Sequence, residues 1–132
     1  MGVAVLHSKL SKAQRAKVGC CIVTPTFTLL CGYNGTPNGF CNECEYTNSD
    51  GTLTTNPYVV HAEMNAIAAA ARTGVSLLGA TAYITLSPCA NCAAVMKQVG
   101  ITRVVYGERY RDDAGLKVLW ELGIETRFKE IT

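Results

Sequence analysis

No apolar stretch in this 132-residue chain approaches the roughly 20 residues that a membrane-spanning helix needs. The opening Met1-Gly2-Val3-Ala4-Val5-Leu6 is too short for the hydrophobic region of a signal peptide with its flanks. These absences lead to the expectation of a soluble, cytoplasmic protein with no membrane partner. Charge of one sign is also lacking. Twelve basic side chains face ten acidic ones, for a net +2, which leaves no prominent basic surface for a nucleic acid polymer and suits a small anionic substrate better. There is no internal repeat and no low-complexity segment, and histidine is scarce, present only as His7 and His61. Cysteine is not scarce. The seven cysteines are an odd number, however, and at 48% hydrophobic and 17% charged residues the chain can bury a core without disulfide staples. The length and composition suit one folded domain over residues 1–132.

Two short strings carry chemistry. His61-Ala62-Glu63 stands before the helix-forming run Met64 to Ala71, and Pro88-Cys89-Ala90-Asn91-Cys92 opens a second helix behind a proline start signal. Either alone is weak: H-x-E occurs by chance, and C-x-x-C in an intracellular protein more often serves redox or structural metal sites. Together they offer His61, Cys89 and Cys92 as three zinc ligands, with Glu63 as a carboxylate left over. Three protein ligands leave the fourth zinc position open, which is the arrangement of a catalytic rather than a structural ion. Two cysteines three positions apart share one helix face, and a helix N-terminus favours the thiolate that zinc binds.

The remaining pattern alternates. An amphipathic helix is expected over residues 3–16, then strands over 18–24 and 26–33 joined at Thr24-Pro25-Thr26. Residues 32–57 read as a long loop, marked by Asn34-Gly35 and Asn38-Gly39, that leads into the first metal string. Helices follow over 61–73, closed by Gly74, over 89–98 and over 114–122, with strands over 80–86, 101–106 and 124–128 between and after them. The order predicts an α/β fold, a three-layer α/β/α arrangement around a mixed five-stranded sheet whose later strands run parallel through crossover helices. Both metal strings then fall at helix N-termini beside strand carboxyl ends, where open α/β sheets bind ligands. Cys20, Cys21 and Cys31 lie in apolar runs and read as buried free thiols.

The strings H-x-E and P-C-x-x-C in this order are the signature of zinc nucleobase deaminases. Beyond them, Val18-Gly19-Cys20-Cys21-Ile22-Val23, Gly32-Tyr33-Asn34-Gly35-Thr36-Pro37-Asn38-Gly39, Val60-His61-Ala62-Glu63-Met64-Asn65-Ala66-Ile67 and Arg109-Tyr110-Arg111-Asp112 make the chain resemble the deoxycytidylate (dCMP) deaminases of the cytidine deaminase superfamily. The resemblance implies a cytidine deaminase-like fold and hydrolysis of dCMP to dUMP and ammonia. It implies one catalytic zinc on His61, Cys89 and Cys92, with Glu63 as proton shuttle. It also implies base contacts from the Ala62 amide and the Ser87 carbonyl and a sugar or phosphate contact from Asn34, whose bland alternative is a turn residue. For the phosphate, Arg109 and Tyr110 follow a strand end and are the first choice, with Arg15 and Lys17 next; an ordinary solvated loop is the competing reading. Members of the family are often hexameric and regulated by dCTP and dTTP, so a homo-oligomer is expected here.

Cys41-Asn42-Glu43-Cys44 has metal-ligand spacing, but no second Cys or His pair stands nearby, which favours two free thiols over a second, structural zinc. Two rival functions share part of the pattern. A tRNA adenosine deaminase would carry the same strings on a basic surface. A zinc-stabilised scaffold would have no use for Glu63.

Overall fold

The computed structural model describes residues 1–131 and contains four helices and seven strands among them. β1 (Gly19–Val23) lies between β2 (Leu29–Tyr33) and β5 (Thr81–Leu86), antiparallel to both. β6 (Arg103–Glu108) and β7 (Glu125–Phe128) add to β5 in parallel, giving the order β2-β1-β5-β6-β7. The parallel connections run through α3 (Ala90–Gln98) and α4 (Ala114–Glu121), as a parallel pair requires. This is the expected mixed five-stranded sheet.

One face of the sheet carries most of the core. Cys20 and Ile22 of β1, Ala82 and Ile84 of β5, and Val104 and Tyr106 of β6 pack against Ala62, Ala66 and Ala70 of α2 (Ala62–Thr73), Ala93 and Met96 of α3, and Leu116 and Leu119 of α4. The opposite face is covered by α1 (Gly2–Ser8), which lies so close to β1 that a Cβ on Gly19 would run into the Ala4 carbonyl. α2 ends where expected, at Gly74 in the left-handed region with φ 69°. Among the described residues no helix is long and apolar enough to cross a membrane.

Three expectations fail locally. The N-terminal helix stops at Ser8 instead of continuing to residue 16. The backbone beyond it finds partners outside a helix: the Gln14 and Arg15 amides donate to the Glu45 carboxylate, the Val18 amide donates to Asn34 Oδ1, and Asn34 Nδ2 donates to the Ala16 carbonyl. The long loop is not structureless. β3 (Glu45–Thr47) and β4 (Leu53–Thr55) form a small antiparallel hairpin turned by Asn48 to Thr52, with Gly51 at φ 84°. The signal was present as β-branched Thr52, Thr54 and Thr55 after Asp50-Gly51. The first hairpin turn is also wider than Thr24-Pro25-Thr26, since Phe27 takes a left-handed φ of 66° and β2 begins only at Leu29.

Leu119 is fully buried where α4 meets the sheet. Leu119→Ala should lower stability by about 2–5 kcal/mol through lost transfer energy and the cavity left behind. A urea titration would read this as a lower midpoint at unchanged slope.

Candidate active site

α2 and α3 start beside one another, and each start is a metal-ligating residue. His61 is the N-cap of α2 with extended backbone (φ −66°, ψ 154°), and Cys89 is the N-cap of α3 with φ −73° and ψ 168°. These two residues therefore sit half a step before the helices rather than inside their first turns. His61 Nδ1 lies 3.4 Å from Cys92 Sγ and 3.7 Å from Cys89 Sγ. Tetrahedral zinc, with bonds of about 2.3 Å to sulfur and about 2.0 Å to nitrogen, places such atoms roughly 3.6 Å apart. The donor set and its spacing fit zinc, and among the described residues no other group of three His, Cys, Asp or Glu side chains converges in this way.

The charges point the same way. Cys92 is buried, and burial raises its thiol well above the usual range, helped by Glu63 and by Cys89. Two thiolates and a carboxylate crowded together are unfavourable unless a cation joins them. Glu63, in the first turn of α2 and only 4% exposed, has its carboxyl pushed up to about 7 by burial, opposed weakly by its own amide N–H. An acid of that kind exchanges protons near neutral pH.

Two glycines set the helix starts. A Cβ at Gly32 of β2 would lie 2.5 Å from the Ala62 carbonyl oxygen and 2.6 Å from the Ala66 amide nitrogen, so β2 touches the first turn of α2 directly. A Cβ at Gly115 of α4 would collide with the Pro88 carbonyl and stand 2.9 Å from the Cys89 carbonyl carbon. Each ligand-bearing turn is backed by a bare backbone contact.

A cavity of about 390 Å³ opens over this centre, lined by His61, Glu63, Cys89, Ser87, Asn34, Arg109 and Tyr110 among others. A larger hollow of about 540 Å³ beside Phe128 and Glu130 shares only Arg109 with it and contains none of the ligand triad. Of the expected contact residues, Asn34, Ser87, Arg109 and Tyr110 reach the cavity; Ala62 does not line it and is fully buried, and the ligand Cys92 is likewise buried. Asn34 spends one donor and one acceptor on the backbone of Ala16 and Val18, which leaves its other N–H and lone pair. Ser87 Oγ accepts from the Tyr110 amide at 2.7 Å, tying the loop after β6 to the zinc loop. Arg15 lines the cavity, but its guanidinium donates to the Leu53 carbonyl and to Thr55 Oγ1 and so clamps the β3–β4 hairpin. Lys17 lines a separate hollow. Arg111, Glu45 and Thr55 also line the site and escaped sequence reasoning; Arg111 stood within the quoted Arg109-Tyr110-Arg111 string, whereas Glu45 had no signal. Cys44 is buried at the cavity wall and Cys41 is exposed, with no third ligand beside them among the described residues.

Residues 1–108 match the family described as the cytidine and deoxycytidylate deaminase zinc-binding region. The chain is 35% identical to the deoxycytidylate deaminase of enterobacteria phage T4 over 82% of its own length and 75% of the phage protein's. The chain belongs to the cytidine and deoxycytidylate deaminase family. It is also 37% identical to the Saccharomyces cerevisiae deoxycytidylate deaminase over 96% of its length, although it spans only 42% of that longer relative. The dCMP deaminase of cyanophage S-TIM5, whose crystal structure was determined in complex with dCMP and dUMP, superposes with a TM-score of 0.89 at 39% identity, covering 97% of this chain and 92% of the other. The deaminase-like sheet and helix order expected from the sequence is thus the family fold.

If Gly115 holds the Cys89 turn in place, Gly115→Ala should weaken zinc binding by about 10–100-fold, the range typical of groups that orient metal ligands. Competition against a chromophoric chelator measures the affinity, and circular dichroism of the metal-free protein checks that the fold survives.

Proposed function

We propose that this chain hydrolyses dCMP to dUMP and ammonia with one zinc ion held by His61, Cys89 and Cys92. The observation that carries the reading is the unligated, buried Glu63 beside a tetrahedrally spaced ligand triad, at the floor of a cavity whose rim bears Arg109 and Arg111. Likeness to a dCMP deaminase crystallised with dCMP and dUMP supports the choice of nucleotide.

Zinc, when bound, supplies a water whose pKa is lowered to about 7. The residues do the rest. Glu63 accepts a proton from the attacking water and passes it to the ring nitrogen next to the carbon that bears the amine, so attack does not build negative charge on the ring. It then takes the remaining proton from the hydroxyl added to that carbon and delivers it to the departing amine, which leaves as ammonia while the carbon becomes a carbonyl. Burial suits the task because a carboxyl poised near neutrality both takes and gives protons. In this reading the Ser87 carbonyl and the Ala62 amide at the start of α2 would meet the base edge, and Asn34, which lines the cavity, would offer its remaining amide proton to the sugar or phosphate. Arg109 and Arg111, which line the cavity and make no ion pair among the described residues, would bind phosphate oxygens, with Tyr110 between them; Arg111 lies 5.6 Å over the Tyr110 ring.

The balanced net charge argues against a tRNA substrate. We place the enzyme in the cytoplasm, where free cysteines such as its seven are the usual state. We also read it as a homo-oligomer, as the family resemblance implies; sedimentation velocity should find no monomer at micromolar concentration.

Glu63→Gln should retain one zinc and the fold while turnover of dCMP falls by about 10²–10⁴-fold or more, the usual share of a general acid–base group. Near-normal ammonia release from that variant would overturn the mechanism. Arg109→Ala should raise KM for dCMP at least tenfold with little change for free deoxycytidine; equal effects on both would remove Arg109 from the phosphate site.

A further inference from the structure

Cys21 and Cys31 are directly opposed on β1 and β2, away from the zinc centre. The pairs of this ladder can be classified from its ends: the Asn34 amide donates to the Val18 carbonyl, and the Thr24 amide donates to the Thr28 carbonyl. Hydrogen-bonded and non-hydrogen-bonded pairs alternate in an antiparallel ladder, so Cys20 with Gly32 and Ile22 with Leu30 are hydrogen-bonded pairs, and Cys21 with Cys31 is a non-hydrogen-bonded one. Such pairs have Cα atoms about 4.5 Å apart with side chains at their closest, which falls inside the disulfide range. The two sulfurs lie 3.2 Å apart, already nearer than ordinary contact. Neither thiol takes part in the zinc site or the core cluster.

We propose that Cys21 and Cys31 close to a reversible cross-strand disulfide when a low-molecular-weight disulfide such as glutathione disulfide is the oxidant. Cys31 is half-buried and so is the sulfur an oxidant reaches, whereas Cys21 is buried, with its thiol pushed up to about 12 mainly by that burial. The Cys31 thiolate attacks glutathione disulfide, forms a mixed disulfide and expels one glutathione thiolate, which takes the Cys31 proton. Cys21 then attacks the Cys31 sulfur, the mixed bond breaks, and the second glutathione leaves with the Cys21 proton. Two protein thiols are oxidised and one glutathione disulfide is reduced. The bond would lock the register of the strand that carries Gly32 against α2 and Asn34 into the cavity.

The zinc-loaded protein is incubated with glutathione disulfide, alkylated, and digested with chymotrypsin, which cuts between the two cysteines after Phe27, Leu29 or Leu30. The expected product is a linked peptide pair joining Cys21 to Cys31, lighter by about 2 Da than the two reduced peptides together and separated by dithiothreitol. The link should persist in Cys20→Ser and vanish in Cys31→Ser. In Cys21→Ser, Cys31 should instead keep a glutathione adduct. Recovery of Cys21 and Cys31 as unlinked alkylated peptides would overturn the proposal, and so would a link to Cys21 that survives Cys31→Ser. Because Cys31 is half-buried, its serine variant keeps the test decisive even if Cys21→Ser fails to fold.

Discussion

Everything in the site depends on two helices starting at one place. The N-caps of α2 and α3 are His61 and Cys89, and their side chains, with Cys92 one turn on, stand at the spacing of a tetrahedral zinc site. Helix starts suit the purpose because their unpaired N–H groups and dipoles favour the thiolates and the carboxylate gathered there. The sheet order places the strands that feed these helices, and contacts at Gly32 and Gly115 hold the two turns from behind without side chains. A methyl group at either position would move a ligand, so the packing of the core and the geometry of the centre are one constraint.

Glu63 inherits its character from that arrangement. It is held in the first turn of an alanine-rich helix whose inner face, Ala62, Ala66 and Ala70, packs against β1 and β2. The same packing strips it of water and raises its pKa toward neutrality. The cavity's outer wall is built differently, from loops tied by side chains: Glu45 holds the backbone at Gln14 and Arg15, Arg15 holds the β3–β4 hairpin, and Asn34 holds residues Ala16 and Val18. A rigid floor for the chemistry thus meets a polar, loop-built rim for the substrate.

What the sequence made legible follows the range of the interactions. α2, α3 and the Gly74 cap are readable because alanine runs, Pro88 and Gly74 act locally, whereas His61 and Cys89 prove to be N-caps just outside the helices. The five-stranded sheet followed from alternation of elements. The N-terminal helix was overextended because the partners that hold residues 13–18 out of a helix, Glu45 and Asn34, come from far along the chain. The β3–β4 hairpin was hidden by its shortness, although Asp50-Gly51 between threonines marked it. At the site, the ligands and Glu63 could be named from spacing, while Arg15's diversion to the hairpin and the presence of Arg111 and Glu45 at the rim needed three dimensions.

The most direct test is to remove metal from the protein and measure ammonia release from dCMP as zinc is added back. Turnover should be absent in the metal-free protein, rise linearly and level off at one zinc per chain. Full turnover without metal, or none at any zinc occupancy, would contradict the account.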